Sequence, residues 1–327
     1  MKRRTFIAAL GSAVAARPLA GRADQRIARV GYLGPGYTGR EKSPAIATFR
    51  AAFADLGYVE GRNYEIEFRW WTTEDEEPEL AQELVDLKVD VILTAAEGVL
   101  AAHKVTKTVP IVAAITFDLV AQGLADSLDH PGGNVTGEAF FVYDMSVKRL
   151  ALLKQAKPAM TRVGLLVPKE RFAVFLPKLL GALDAPVKAL GVELDLIEVT
   201  DPSDCDRALS AGPGASIEGL LVADPPDFVL GTGPAAIAAA AARHGVPVAG
   251  AISIAKNGGF LGYGVDYLAM FRRAAVFVDK ILKGAKPGDI PIEQATKFIT
   301  IVNLKTDRAL GLDIPPTLLA AADEVIE

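Results

Sequence analysis

The sequence predicts an α/β protein of two similar lobes, each a parallel sheet flanked by helices. Short β-branched runs alternate with longer helical stretches, which is the rhythm of parallel βαβ units. The alternation begins a second cycle after residue 141. Beyond an N-terminal leader about 300 residues remain, which is more than one compact core normally holds.

The leader comes first along the chain. Lys2, Arg3 and Arg4 precede a short, alanine-rich apolar stretch, and small residues stand one and three places before a cut after Ala23. We therefore interpret residues 1–23 as a removable signal peptide. The arginine pair followed by Thr-Phe-Ile resembles a twin-arginine export signal, although a general secretory signal has much the same features.

Composition predicts a water-soluble product of this export. Hydrophobic residues make up 50% of the chain, charged residues 23%, and the formal net charge is -5, which does not favour a nucleic-acid partner. No later segment is apolar for long enough to predict a transmembrane helix. Cys205 is the single cysteine, so neither an internal disulfide nor a lipid-bearing cysteine at the cleavage site is expected. We expect a periplasmic monomer without direct membrane insertion.

The elements of the first lobe follow in order. Strands are predicted at 27–33, 64–70, 89–94, 110–115 and 134–141. Helices are predicted at 44–56, which ends at Gly57, and at 77–87, where acidic residues and Pro78 suit a helix N-terminus. The first lobe comprises residues 24–142 and 265–290.

The second lobe repeats the pattern and comprises residues 143–264 and 291–327. Its helices are predicted at 145–155, 172–190 and 234–244, and its strands at 162–167, 193–199, 219–223, 246–252 and 260–265. A further helix at 267–283 leads to a last strand at 297–302.

Ligands of open parallel sheets collect at the carboxyl ends of the strands, so two such lobes predict a ligand site in the cleft between them. The candidate ligand-binding residues follow predicted strands. They are Gly36, Tyr37, Trp71, Thr94, Glu97, Thr116, Phe117 and Asp118 in the first lobe, and Asp224, Pro225, Tyr263 and Asp266 after it.

Each side chain has a structural alternative to its ligand role. Asp118 and Asp224 suit pairing with a ligand ammonium or hydroxyl group, but aspartate also commonly caps helices. Tyr37, Trp71 and Phe117 suit stacking on an apolar or aromatic ligand, or else core packing. The hydroxyls of the two threonines could bind a ligand carboxylate or satisfy nearby backbone groups.

One motif favours an enzyme instead. Residues 34–39 match G-x-G-x-x-G directly after the first strand, as in dinucleotide-binding folds. The helical pattern begins only near Pro44, so a pyrophosphate would lack the helix N-terminus that normally holds it. An exported NAD(P)-dependent oxidoreductase is therefore the alternative function.

Other chemistry has less support. His103, His130 and His244 are far apart in sequence and show no paired metal spacing, and neither a nucleophile elbow nor a P-loop is present. No catalytic residue, metal or cofactor is predicted.

Several segments resemble the substrate-binding proteins of ABC transporters, in particular receptors for tryptophan and other aromatic or branched-chain amino acids. These segments are residues 56–63 (LGYVEGRN), 122–124 (QGL) with 131–137 (PGGNVTG), 303–306 (NLKT) with 309–312 (ALGL), and the closing stretch 321–327. The resemblance implies the type I periplasmic binding protein fold, two Rossmann-like lobes joined by a hinge. It also implies uptake of a small organic solute by hinge closure, with an ABC permease as membrane partner.

Residues 94–98 depart from the family pattern, which is rich in glycine and threonine there. Glu97 would disfavour a ligand carboxylate at that strand end. Because the same fold also serves in signalling proteins, a ligand-sensing module for a separate partner remains a further alternative.

Overall fold

The computed structural model describes residues 26–36, 43–169, 175–295, 297–312 and 314–327. The predicted signal peptide and Tyr37 lie outside these residues. Within them, two mainly parallel sheets are flanked by helices, as the sequence predicts.

The first part of the chain alternates strands and helices. The elements are β1 (Ala28–Pro35), α1 (Pro44–Asp55), β2 (Tyr64–Trp71), α2 (Glu77–Asp86), β3 (Val91–Ala95), α3 (Glu97–Val105), β4 (Ile111–Thr116) and β5 (Val135–Ala139).

The middle part repeats the alternation. The elements are α4 (Val142–Ala156), β6 (Arg162–Pro168), α5 (Leu176–Ala189), β7 (Glu193–Val199), α6 (Cys205–Leu209), β8 (Gly219–Val222), α7 (Pro226–Val229), α8 (Gly233–Arg243), β9 (Val248–Gly250), α9 (Ile252–Lys256) and β10 (Leu261–Gly264).

The last part of the chain contributes strands to both sheets. It consists of α10 (Tyr267–Leu282), β11 (Glu293–Gln294), β12 (Ile299–Asn303), α11 (Leu304–Leu310), α12 (Pro316–Ala320) and β13 (Glu324–Ile326).

The two sheets share one strand order. The first sheet runs β11-β5-β4-β3-β1-β2 and the second β13-β12-β10-β9-β8-β6-β7, so that β2-β1-β3-β4-β5 and β7-β6-β8-β9-β10 correspond. In each, the order reverses beside its first strand, between β1 and β3 and between β6 and β8. A crevice for ligands opens at such a reversal, outside the carboxyl ends of the strands.

The chain passes between the sheets three times. The passages follow β5, where Phe140 and Phe141 lead into α4; β10, where residues 265–266 lead into α10; and β11, before β12. The predicted division into lobes stays a prediction. Because β11 pairs with β5, residues 293–294 add to the first sheet beyond the predicted boundary at 290.

Helices cover both faces of each sheet. In the first sheet, α1 and α10 pack together on one face, and α2 and α3 on the other. The most extensive apolar cluster contains Phe49 and Phe53 of the first part of the chain and also Leu153 and Leu165 of the second, so one core is continuous between the lobes. No helix of the described chain combines the length and apolar character that a membrane crossing requires.

Several elements differ from the sequence prediction, among them the strand predicted at 246–252, which is shortened to β9 because α9 begins at Ile252. A helical stretch around His103 was predicted without bounds, because the apolar run of β3 passes into α3 with Ala96 as the sole linking residue. The helix predicted at 172–190 is described only from Leu176, since residues 170–174 lie outside the described chain. The last predicted strand corresponds to β12, which pairs with β10 in the antiparallel sense.

Candidate functional site

A small cavity lies where the two order reversals face each other. Its volume is about 30 Å³, and residues from both sheets line it. We call it the inner cavity. Its walls include Tyr32, Ala96, Ile115, Phe117, Phe140, Tyr267 and Phe271 from the side of the first sheet, and Asp224, Pro226, Val229 and Leu230 from the second.

Two larger cavities, of about 340 and 330 Å³, adjoin the inner one. We call them the outer cavities. Both include Asp118, Phe140 and Phe141, and Phe140 also lines the inner cavity. All three therefore meet at the first passage between the sheets.

Aromatic rings connect the two sides of this cleft. The ring centroid of Phe117 lies 5.5 Å from that of Phe140 and 4.7 Å from that of Phe175, which precedes α5 of the second lobe. Phe140 in turn meets Tyr267 at 5.6 Å. The interplanar angles are between 62° and 72°, the edge-to-face geometry that aromatic pairs favour. The cleft thus offers an aromatic surface to a ligand.

The polar wall of the inner cavity is Asp224, directly after β8. Its Oδ2 lies 2.6 Å from Nη1 of Arg149, and both side chains are fully buried. The hydroxyl of Tyr267 donates to the other carboxylate oxygen at 3.1 Å. Burial alone would lower the pKa of Arg149, but the charge of Asp224 and its hydrogen bond raise it, while burial raises the pKa of Tyr267 well above its usual value. Arg149 therefore stays charged beside Asp224, and Tyr267 is a neutral donor.

Two buried hydroxyls lie at the carboxyl ends of neighbouring strands. Thr94 and Thr116 are 0% and 1% exposed, and within the described chain neither Oγ1 has a hydrogen-bond partner. A side chain on Gly98, in the first turn of α3, would collide with Oγ1 of Thr94. That hydroxyl therefore lies beside the first turn of α3.

A sequence profile of the family described as ABC transporter substrate binding protein matches residues 43–326. The chain belongs to this family. The resemblance stated from the motifs is thus confirmed. The protein is a substrate-binding component of an ABC transporter that binds a small molecule.

The relatives of this substrate-binding protein agree in fold. A tyrosine-binding protein of Clostridioides difficile (strain R20291) is 26% identical over 270 residues, 81% of this chain and 75% of that protein. A crystal structure of an ABC domain from Streptococcus pneumonia in complex with L-Trp superposes with a TM-score of 0.77 at 19% identity, covering 92% of this chain and all of that one. A conserved domain protein from Vibrio cholerae O1 biovar El Tor gives 0.77 at 25% identity with the same coverage. The fold is that of a type I periplasmic binding protein, which confirms the predicted fold class.

Of the predicted site residues, Phe117, Asp118 and Asp224 line the cleft cavities of the substrate-binding protein. Asp118 is exposed, and its Oδ1 accepts hydrogen bonds from the N–H groups of Val120 and Ala121, at 3.1 and 3.0 Å. One of its carboxylate oxygens thus serves the local turn.

Two further acidic candidates stand at helix starts. Oδ1 of Asp266 accepts from the N–H groups of Leu268 and Ala269 and so caps α10. Glu97 is the first residue of α3 and half-buried, a position where the helix dipole favours a carboxylate.

The remaining candidates lie around the cleft without lining the cavities. Trp71 is buried in the core formed with α2 and α3, and its ring packs against Gly98. The ring of Tyr263 stacks on Phe298 with centroids 5.8 Å apart. Gly36 lies beside the backbone of Trp71, and Pro225 is buried before α7.

Sequence reasoning missed Arg149, Phe140 and Tyr267. A signal existed for Arg149: Met145, Leu152, Leu153 and Ala156 form the buried stripe of α4, and position 149 belongs to that stripe by helical spacing. A cation on an apolar stripe requires a buried partner. The described residues contain no cluster of three His, Cys, Asp or Glu side chains suited to a metal ion.

Proposed function

We propose that the protein captures an aromatic amino acid, or a closely related aromatic acid, in the cleft between its lobes and delivers it to an ABC importer. The single observation that carries this proposal is the edge-to-face series of Phe117, Phe140, Phe175 and Tyr267. Phe117, Phe140 and Tyr267 line the inner cavity, and Phe175 lines the adjoining outer cavity of about 340 Å³. Flat rings supply large contact areas at little cost in side-chain entropy.

The relatives support the same class of ligand. One is a tyrosine-binding protein, and one structure of this fold holds L-Trp. Thr94, Thr116 and the start of α3 would receive the carboxylate, while Asp118 remains the candidate for the ammonium group. The other predicted strand-end residues, among them Gly36, Tyr37 and Glu97, would complete the rim. Closure of the lobes about the three passages would bury the solute.

The test is calorimetric titration of residues 24–327 with L-tyrosine, L-tryptophan, L-leucine, D-tyrosine and NADH. We expect L-tyrosine or L-tryptophan to bind most tightly. Phe117→Leu should weaken that binding about two- to tenfold, the factor that corresponds to one aromatic contact. Phe49→Leu is the matched control, because Phe49 is a buried ring of the same lobe that does not line the cavities. Binding of NADH alone would contradict the proposal in favour of the oxidoreductase.

We further propose that residues 1–23 direct export to the periplasm, where the mature chain works with its permease. Replacement of Arg3 and Arg4 by lysine should leave the precursor in the cytoplasm if the twin-arginine pathway exports it. Fractionation of cells followed by immunoblotting distinguishes this result from general secretion, which the lysine pair would not stop. A precursor that is never processed, even with the natural arginines, would contradict export itself.

A further inference from the structure

Asp224, in the wall of the inner cavity, forms a buried charged pair with Arg149 behind it. Arg149 and Asp224 are both fully buried, with Nη1 2.6 Å from Oδ2. Burying two charges is costly unless their remaining polar atoms find partners. Nε of Arg149 donates to the carbonyl oxygen of Tyr263 at 2.7 Å, and Oδ1 of Asp224 accepts from Tyr267 at 3.1 Å. Both carboxylate oxygens therefore already have donors from the protein.

These contacts join the two lobes. Arg149 on α4 and Asp224 after β8 belong to the second sheet and its helices. Tyr267 begins α10, which packs against α1 and β4 of the first sheet. The hydrogen bond from Tyr267 to Asp224 thus spans the cleft. The bond from Arg149 to Tyr263 lies directly before the second passage between the sheets.

The network also neutralises the carboxylate charge that could otherwise bind a ligand ammonium group. Arg149 neutralises Asp224 at hydrogen-bonding distance, and Tyr267 occupies the other oxygen. An ammonium group at Asp224 would have to displace one of these donors and would stand close to a buried guanidinium group. Within the described residues Nη2 of Arg149 has no hydrogen-bond partner, so the network leaves one buried donor unpaired but no carboxylate oxygen. The arrangement suits a fixed wall rather than a receptor for an ammonium group.

We propose that Arg149 and Asp224 are positioning residues that, together with Tyr267, hold the cleft wall and favour the closed arrangement of the lobes, and that Asp224 is not the charge partner of a ligand ammonium group. The ligand part of this proposal rests on the proposed function, whereas the part that concerns closure does not.

The first experiment needs no ligand. Spin labels on cysteines introduced at Glu79 of α2 and Ala185 of α5, both exposed, would report the separation of the lobes by pulsed electron paramagnetic resonance. Cys205 is buried, so labelling is selective for the introduced sites. Tyr267→Phe removes one hydroxyl and keeps the ring. We expect it to populate a longer distance than the parent protein. Tyr32→Phe is the control, because Tyr32 lines the same cavity but takes no part in the network. A Tyr267→Phe distribution identical to the parent would overturn the closure role.

The second experiment separates positioning from charge recognition. L-tyrosine and 3-(4-hydroxyphenyl)propionate differ by the amine, and both are titrated into the parent protein, Tyr267→Phe and Asp224→Asn. Tyr267→Phe should weaken both ligands by the same factor, about tenfold for a hydrogen bond to a charged group that stabilises the closed form. Asp224→Asn should leave the ratio of the two affinities unchanged.

A loss of affinity in Asp224→Asn that is confined to L-tyrosine would overturn the proposal, because it would make Asp224 an ammonium receptor. If the parent protein binds neither compound, the proposed ligand class fails, and the label distances alone decide the closure role. Circular dichroism of each variant identifies any that does not fold. If Asp224→Asn does not fold, Tyr267→Phe still tests the proposal, because it retains the volume of the ring.

Discussion

Glu138 is a carboxylate placed beside another carboxylate. It lies on β5 in register with Glu293 of β11, and Nε of Arg273 on α10 donates to Glu293 at 2.7 Å. Burial and then the charge of Glu293 raise the pKa of Glu138 to about 7, against a smaller lowering by Arg273. Arg273 first, and then Lys280, lower the pKa of Glu293. Glu138 is thus the member of the pair that holds a proton near neutrality.

This pair predicts a pH dependence of stability. A folded-state pKa above the unfolded one means that the folded protein binds the proton more tightly, so the free energy of unfolding falls as the pH rises from about 4.5 through about 7. Glu138→Gln should remove this component, which melting temperatures measured between pH 5 and 8 would show. Glu218→Gln serves as a control without pH dependence in this window. Backbone N–H groups of Thr161 and Arg162 lower the pKa of Glu218, so its contribution is lost only below about pH 4.5. Parallel melting curves for the parent and Glu138→Gln would contradict the prediction.

For the buried threonine hydroxyls we predict that removal weakens ligand binding without lowering the stability of the protein. Thr116→Val replaces a hydroxyl that has no hydrogen-bond partner in the described chain, so we expect the melting temperature to stay the same or rise. Affinity for L-tyrosine should fall about tenfold if that hydroxyl receives the carboxylate.

Thr136→Val is the matched control, because the equally buried Oγ1 of Thr136 donates to the carbonyl oxygen of Ile290 at 2.8 Å. Its loss should cost about 0.5–1.5 kcal/mol of stability without affecting the ligand. A destabilised Thr116→Val with normal binding would show that Thr116 has only a packing role.

The first turn of α3 contains Gly98, which has no room for a side chain. A Cβ at Gly98 would lie 2.9 Å from the ring of Trp71 and still closer to the hydroxyl of Thr94. Gly98→Ala should therefore destabilise the protein by about 1–3 kcal/mol, as overpacking of a core does. In α5, Gly181 has open space around its Cβ position, and Gly181→Ala should stabilise by about 0.5–1 kcal/mol. Denaturant titrations of both variants measure the difference, and equal effects would contradict this explanation.

The elements that the sequence predicted well are those with an unambiguous period. The apolar runs of β3, β4 and β8 lie between covering helices and are buried almost throughout, so their pattern is plain. The start of α3 could not be predicted, because it depends on the backbone of Ala96. Its φ of 49° is not indicated by the pattern of residue types. The antiparallel direction of β12 was hidden too, since a strand pattern carries no direction.

The site was predictable only in its location. Strand ends in two repeated lobes place the cleft, and Phe117, Asp118 and Asp224 indeed line it. The partners of Asp224 could not be predicted, because Arg149 and Tyr267 are 75 and 43 residues away in sequence. Only tertiary packing decides whether a strand-end aspartate faces a ligand or an arginine.

At the scale of the whole molecule, the continuous core predicts cooperative unfolding. The most extensive apolar cluster joins Phe49 and Phe53 with Leu153 and Leu165, so unfolding of either lobe would expose part of a core that both share. The two tryptophans, Trp70 and Trp71, report only on the first sheet, whereas far-ultraviolet circular dichroism reports on both. We expect the two signals to change together in a single urea transition. A circular dichroism change that continues after the fluorescence change is complete would show that the lobes unfold independently.

Phe140 lines all three cavities and is also part of the covalent link between the lobes. The length of a bound solute would therefore affect the angle between the two lobes. A solute that extends from the inner cavity of about 30 Å³ into the adjoining one of about 340 Å³ would press on this ring, and a displaced ring would move the passage that carries it. Two solutes of different length would then produce two different degrees of closure, and a permease that reads the lobe angle would discriminate between cargoes it never touches.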